Sequence, residues 1–175
     1  MKTLKGSNIQ LRALEPEDLQ FLFETENNES FWEVSHTQTP FSKFLLKQYL
    51  ENAHLDIFEA KQLRLIIEEN TTNKSVGIID VFDFNPQHKR AGIGILINTE
   101  YQKNGFASEA LSLLIHYCFT HLNLHQLYAN ITSDNEKSIS LFTKHQFKEI
   151  GVKNDWILSK NNTFKDEILF QLIHE

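Results

Sequence analysis

Polar and apolar residues alternate over Asn8-Ile9-Gln10-Leu11-Arg12-Ala13-Leu14, the period of a half-buried strand. Glu15-Pro16-Glu17-Asp18 then opens a helix: proline suits a first turn, and acids there oppose the helix dipole. That helix buries Leu19, Leu22 and Phe23 and breaks at Asn27-Asn28, after which Phe31 to Pro40 shows no period. A second helix is predicted after Pro40, with Phe44, Leu45, Gln48 and Tyr49 along one side. Leu63-Arg64-Leu65-Ile66-Ile67-Glu68 and Val76-Gly77-Ile78-Ile79-Asp80-Val81-Phe82 form a hairpin around Asn70-Thr71-Thr72-Asn73-Lys74, whose side chains bond their own backbone.

After a turn at Asn85-Pro86-Gln87-His88, Ala91 to Ile97 is almost unbroken apolar sequence, a strand buried on both faces. A long helix follows Gly105, with Ala107, Ala110, Leu111, Leu114, Ile115, Cys118, Phe119 and Leu122 at helical spacing. Gln126 to Thr132 is a strand, Ser133-Asp134-Asn135 caps a short helix around Ile139, Leu141 and Phe142, and Phe147–Leu158 with Phe164–Ile173 closes the chain as paired strands. The order β-α-α-β-β-β-α-β-α-β-β predicts an α+β (mixed α/β) fold. No linker-like stretch or repeat divides residues 1–175, so one domain is expected.

Composition narrows the class. The 175 residues are 41% apolar with 14 Phe, enough for an aromatic core. No apolar run approaches the ~20 residues of a spanning helix, and Met1-Lys2-Thr3-Leu4-Lys5-Gly6-Ser7 lacks the apolar stretch of a secretion signal. A single cysteine, Cys118, makes no internal disulfide, and the eight histidines show no metal spacing, so no metal is expected. These features predict a reduced, cytoplasmic protein, in which the N-x-[ST] triplets at Asn28, Asn70, Asn130 and Asn161 are chance polar sequence.

A net charge of −6 argues against nucleic acid as a partner. Residues 1–60 hold ten acids and five bases, so −5 of that charge lies there. Glu15 to Glu33 contains seven acids and no Lys or Arg. Such a run is either a solvated face or a rim that attracts a cation.

The chemistry concentrates between Ile95 and Ser108, where a buried strand ends, a short loop follows and the long helix begins. Unpaired N–H groups at that helix start, with the dipole, suit a phosphate or pyrophosphate. A tight strand-to-helix turn accounts for Gly105 and Ala107 equally well. The loop is neither G-x-x-x-x-G-K-[ST] nor G-x-G-x-x-G, which disfavours nucleoside triphosphates and dinucleotides.

Gln102-Lys103-Asn104-Gly105-Phe106-Ala107 resembles the Q/R-x-x-G-x-G/A signature of the GCN5-related N-acetyltransferases (GNAT). Asn135-Glu136-Lys137-Ser138-Ile139-Ser140-Leu141-Phe142, running on to Phe147, is similar to that family's second cofactor segment. Ile9-Gln10-Leu11-Arg12-Ala13-Leu14-Glu15-Pro16-Glu17-Asp18-Leu19 resembles the opening of a subgroup that holds ribosomal-protein alanine acetyltransferases and bacterial spermidine acetyltransferases. The resemblance covers nearly the whole chain. It implies a central, mostly antiparallel sheet of about seven strands flanked by about four helices.

The resemblance also implies acetyl-CoA as co-substrate. Ile95, Leu96 and Ile97 would hold the pantetheine arm through their backbone, and Gln102, Lys103, Asn104, Gly105, Phe106, Ala107 and Ser108 would cradle the pyrophosphate. Asn135 and Ser138 would line the arm near the thiol, with Phe142 and Lys144 beside the cofactor's far side. A backbone N–H on the central strand would stabilise the oxyanion.

The chain departs from many relatives at two points. Phe142 stands where they have a tyrosine that protonates the thiolate, and Gly92 stands where several have a glutamate. Ser138 is then the local hydroxyl for the thiolate, unless it only stabilises its helix's first turn. Asp155 falls roughly where the ribosomal-protein subgroup has a catalytic glutamate, with Asp80 and Asp83 as weaker alternatives, and Cys118 is core. In this fold the first helix and following loop line the acceptor side, so Glu29, Trp32 and Glu33 become contacts for a cationic amine.

An amine of pKa near 10.4 costs roughly 4–5 kcal/mol to deprotonate at pH 7. The expected activity is acetyl transfer to a primary amine by direct attack in a ternary complex. A polyamine or other small cation is the favoured acceptor and a protein N-terminus the alternative. A catalytically weak acyl-CoA-binding regulatory module is the rival from another class. Aromatics such as Phe164 and Phe170, taken as exposed, allow a homodimer or larger assembly.

Overall fold

The computed structural model describes residues 2–175. Seven strands form one sheet: β1 (Ile9–Arg12), β2 (Leu63–Glu69), β3 (Ser75–Asn85), β4 (Arg90–Ile97), β5 (Gln126–Thr132), β6 (Lys148–Leu158) and β7 (Phe164–Ile173). Their spatial order is β1-β2-β3-β4-β5-β7-β6. All neighbouring pairs are antiparallel except β4–β5, which the long helix crossover makes parallel.

The helices are α1 (Leu19–Glu26), α2 (Trp32–Ser35), α3 (Lys43–Glu51), α4 (Ile57–Ala60), α5 (Phe106–Thr120) and α6 (Glu136–Lys144). The four longer helices match those predicted, and the irregular stretches before and after α3 contain the single-turn helices α2 and α4. α3 starts where Ser42 accepts the Leu45 N–H, and α4 where the Asp56 carboxylate accepts the N–H groups of Phe58 and Glu59. Pro16–Asp18 forms a tight 3-10 turn before α1, closed by the Glu15 N–H donating to Asp18 at 2.8 Å.

Alternate residues of the sheet feed two cores. Ile78 packs with Leu22 and Leu46 beneath α1 and α3, whereas Ile79, Val81, Ala91 and Ile93 face the side where α5 buries Phe106, Ala110, Leu111, Leu114 and Cys118. Each fully buried Leu or Ile contributes about 1.5–3 kcal/mol, so α5 is anchored along its whole apolar stripe. Phe164 is 60% exposed, but Phe170 is 3% exposed. The expectation of an exposed Phe170 is corrected by its place beside Ala129 on the inner face of β7. No helix among the described residues is long and apolar enough to cross a membrane.

Arginine forks stitch α1 and its entry turn to the sheet. Arg12 grips Asp18 through both terminal nitrogens at 2.8 Å and also pairs with Glu68. Arg64 holds Asp80 at 2.8 and 2.9 Å and pairs with Glu26. Asp80 is thus committed to a structural ion pair.

Candidate active site

β4 and β5 pair only through Arg90–Gln126, Ala91–Leu127 and Gly92–Tyr128. Beyond Gly92 the strands separate. The β5-facing backbone groups of Ile93 to Ile97 therefore have no strand partner, and the gap opens into a cleft of about 540 Å³. Gly94, Ile95, Asn130, Thr132, Asn135, Ser138 and Phe142 line it, together with Phe82, Lys153, Trp156 and Glu167.

The loop between β4 and α5 sits at the end of this gap. Lys103 and Gly105 both have positive φ, 67° and 79°. The left-handed turn at Gly105 aims the start of α5 outward, and a Cβ added there would meet nothing within 4 Å. The first backbone bond of α5 runs from the Glu109 N–H to the Gly105 carbonyl at 3.1 Å. The N–H groups of Phe106, Ala107 and Ser108 are left with no backbone acceptor among the described residues.

The Gln102 side chain fixes the loop, donating to the Ile97 carbonyl at 3.0 Å and accepting from Lys137 at 3.3 Å. Asn104 donates to the Tyr101 carbonyl at 3.1 Å. The result is a rigid, open cradle of amides, which suits a diphosphate.

The structure brings Asn135, Ser138 and Phe142 to the cleft together. The Asn135 side chain caps α6 by accepting the Ser138 N–H at 3.2 Å. Capping is thus done by Asn135, and the Ser138 hydroxyl has no hydrogen-bond partner among the described residues. Leu96 and Ile97 do not line the cleft, and the Ile97 side chain packs in the core. Lys144 lies outside the cleft, on a second groove with His145. His145 bonds the Ser108 hydroxyl at 2.8 Å, and burial, with Lys144 adding to it, holds its pKa below the usual histidine value.

The acceptor-side expectations fare differently. The loop after α1 does reach the cleft, but through Val34 and His36. Glu33 pairs with Lys165, which also binds Asp134 at 2.6 Å. Trp32 donates its indole N–H to the Glu26 carbonyl at 2.8 Å, and Glu29 is exposed, its carbonyl accepting from Lys160 at 3.0 Å.

Asp155 is not brought to the cleft. It occupies an irregularity in which β6 takes four steps from Lys153 to Ile157 while β7 takes two from Glu167 to Lys165. There Asp155 adopts φ 49° and its N–H donates to Asp166 at 2.9 Å. Glu167, which the sequence reading missed, is the one carboxylate lining the cleft among the described residues, and it is 4% exposed.

The two departures have physical counterparts. A Cβ at Gly92 would lie 2.3 Å from the Phe82 ring, so Phe82 fills the space a glutamate would need. Phe82 in turn packs edge-on against Tyr128. The Tyr128 hydroxyl donates to Asp83 at 3.1 Å, and burial followed by that carboxylate pushes its pKa up to about 12. Among the described residues no tyrosine lines the cleft, and its side-chain hydroxyls are those of Thr132 and of Ser138, which lies on α6 with Asn135 at its cap.

Splayed parallel strands ending in an amide cradle suit a long ligand with a diphosphate at one end. A family model described as an acetyltransferase (GNAT) domain matches residues 8–148. The chain belongs to the GNAT family and is an acetyl-CoA-dependent N-acetyltransferase. The spermidine N(1)-acetyltransferase of Escherichia coli is 32% identical over 147 residues, covering 82% of this chain and 75% of that protein. A crystal structure of spermidine N-acetyltransferase from Vibrio cholerae in complex with CoA and spermine superposes with a TM-score of 0.85 at 27% identity, covering 96% of each chain. A dodecameric structure of the Vibrio cholerae spermidine N-acetyltransferase superposes with a TM-score of 0.80 at 29% identity, covering 96% of this chain and 95% of that one.

Proposed function

We propose that this acetyltransferase acts on a polyamine or another small cationic amine, by direct attack within a ternary complex. The observation that carries the acceptor class is the buried carboxylate of Glu167, set among Phe82, Trp156 and Asn130 at the cleft. A buried carboxylate flanked by an amide oxygen and aromatic faces suits an ammonium ion. Likeness to spermidine acetyltransferases supports the same class.

Acetyl-CoA, when bound, supplies the acetyl group already activated as a thioester. The amides at Phe106 to Ser108 hold its diphosphate, and the open backbone edge of β4 orients its arm. The Ser138 hydroxyl hydrogen-bonds the departing sulfur. A full proton transfer from serine is unfavourable, so its contribution is stabilisation of negative charge. Glu167 is the carboxylate placed to take the amine's proton, directly or through water. Holding both reactants in one cleft offsets much of the roughly 4–5 kcal/mol needed to deprotonate the amine.

One observation favours a protein N-terminus as a second acceptor. Both acids on this side, Glu33 and Glu167, already carry lysine partners. An α-amino group of pKa near 8 needs less help to lose its proton. Self-assembly is proposed as well, because Ile150, Val152, Trp156 and Leu158 leave an exposed apolar surface on the edge strand β6.

Thiol release from acetyl-CoA across polyamines, aminoglycosides and short peptides tests the acceptor. Turnover with spermidine and none with peptides is expected. Saturable acetyl-CoA binding with no turnover on any amine would overturn the reading in favour of a binding module.

A further inference from the structure

The cleft already contains an ammonium ion of the protein's own. Lys153 on β6 lies directly opposite Glu167 on β7, so the two side chains share the sheet face that looks into the cleft. The Lys153 ammonium pairs with Glu167 Oε1, donates to Asn130 Oδ1 at 3.2 Å and stands 5.0 Å from the centre of the Trp156 ring. His36 Nε2 is 4.0 Å from the other Glu167 oxygen. A carboxylate, an amide oxygen and an indole face are the three kinds of group that recognise a primary ammonium. Here they converge on one point.

We propose that Glu167, Asn130 and Trp156 form the seat for the acceptor's ammonium group, and that Lys153 is its resident occupant, which an acceptor must displace. The inference rests on the amine-acetyltransferase reading above and names the subsite of that same cleft.

The alternative is an ion pair that merely fastens β6 to β7. Two features argue against it. Two of the fold's ion clusters, Arg12–Asp18–Glu68 and Arg64–Glu26–Asp80, use guanidinium forks to tie helix to sheet, and the lysine cluster of Lys165 with Glu33 and Asp134 joins acids far more exposed than Glu167. The cleft pair uses lysine, a point charge on a flexible stem whose contacts are readily exchanged. In addition, the Lys153 side chain is 33% exposed while that of Glu167 is 6% exposed, so the cation has a way out and the anion does not. A carboxylate this buried needs a positive partner at all times. The resident lysine keeps it paired until an acceptor arrives.

A tethered competitor acts at an effective concentration on the order of mM. It therefore weakens the acceptor's apparent affinity and raises the KM by a constant factor.

The test uses the full chain as wild type, Lys153→Met and the double variant Lys153→Met/Glu167→Gln. Initial-rate kinetics and thermal melts are run with spermidine as the probe, and acetyl-CoA affinity is measured directly for each protein. Methionine keeps an apolar stem against Trp156 while removing the charge. In Lys153→Met the KM for spermidine should fall at least tenfold, and spermidine should raise its melting temperature more than that of wild type. The extra stabilisation by spermidine should vanish in the double variant, where no unpaired carboxylate remains; melts decide this arm, because Glu167→Gln also removes the group proposed to take the amine's proton. If Lys153→Met folds poorly alone, recovery of its melt on adding spermidine supports the seat.

An unchanged or raised KM without extra stabilisation by spermidine overturns the proposal. So does a gain that persists when Glu167 is also neutralised. Should the wild type bind acetyl-CoA yet transfer to no amine, the enzymatic reading fails on its own, and the spermidine melts still decide the seat.

Discussion

Replacing Gly105 separates the cradle from the fold more cleanly than any other single change. Its φ of 79° lies in the left-handed region, where an L-residue pays about 1–2 kcal/mol. An added Cβ touches nothing within 4 Å, so no clash is added to that penalty. For a chain of this size each kcal/mol lowers the melting temperature by about 2–4 °C. Gly105→Ala and Gly105→Glu should therefore both fold, melting a few degrees below wild type.

Binding should respond far more strongly. A glutamate carboxylate about 5 Å from a bound diphosphate, at an effective dielectric constant near 20, is repelled by about 3 kcal/mol per unit charge before salt screening. At 1.36 kcal/mol per decade this is roughly a hundredfold loss of acetyl-CoA affinity. The alanine variant, which intrudes on the cradle without charge, should lose about tenfold. Calorimetric titration with acetyl-CoA, beside melts of the same samples, reads both quantities. A folded Gly105→Glu protein that binds acetyl-CoA within threefold of wild type would refute the assignment of residues 102–108 to the diphosphate.

Other outcomes follow from the same geometry. If the Ser138 hydroxyl serves the departing sulfur as proposed, Ser138→Ala should lower kcat about tenfold with acetyl-CoA affinity unchanged, since the Asn135 side chain caps α6; equal loss of affinity would show a binding role instead. Burial pushes the Cys118 thiol up to about 12, so a disulfide reagent should count no protein thiol in the native state and one in denaturant. Burial opposes the Asp18 carboxylate, but Arg12, the Glu15 N–H and Ser75 together hold its pKa below the ordinary 3.8. A group depressed in this way contributes stability that is complete above its unfolded pKa and is lost as pH falls through the folded value. Asp18→Asn should thus be less stable than wild type at pH 7 by about 2 kcal/mol, the scale of hydrogen bonds to a charged group. The gap measured by urea melts should narrow below about pH 4.

Much of this arrangement was legible in the residues themselves. The alternation of β1, the unbroken apolar run of β4 and the four-turn stripe of α5 are local patterns, and the structure keeps each of them. The left-handed turn and open helix start proposed to hold the diphosphate were legible too, because they lie in consecutive residues at one strand-to-helix junction. The acceptor side was not. Glu167 becomes a cleft residue only because β7 inserts between β5 and β6, and Asp155 leaves the cleft only because β6 takes extra steps opposite Asp166. Neither pairing register nor strand order is written in periodicity. Likewise the acids of residues 15–33 look like an open rim in sequence, but Lys165 closes on Glu33 from 132 positions away. α2 and α4 were missed because a single helical turn is too short to show a period.

A crystal structure of the protein with acetyl-CoA tests the central claim most directly. The account predicts diphosphate oxygens within about 3.2 Å of the N–H groups of Phe106, Ala107 and Ser108, with the thioester between β4 and β5 beside Ser138. Density for the diphosphate elsewhere, such as in the second groove by Ser112, Phe119 and His174, would contradict it.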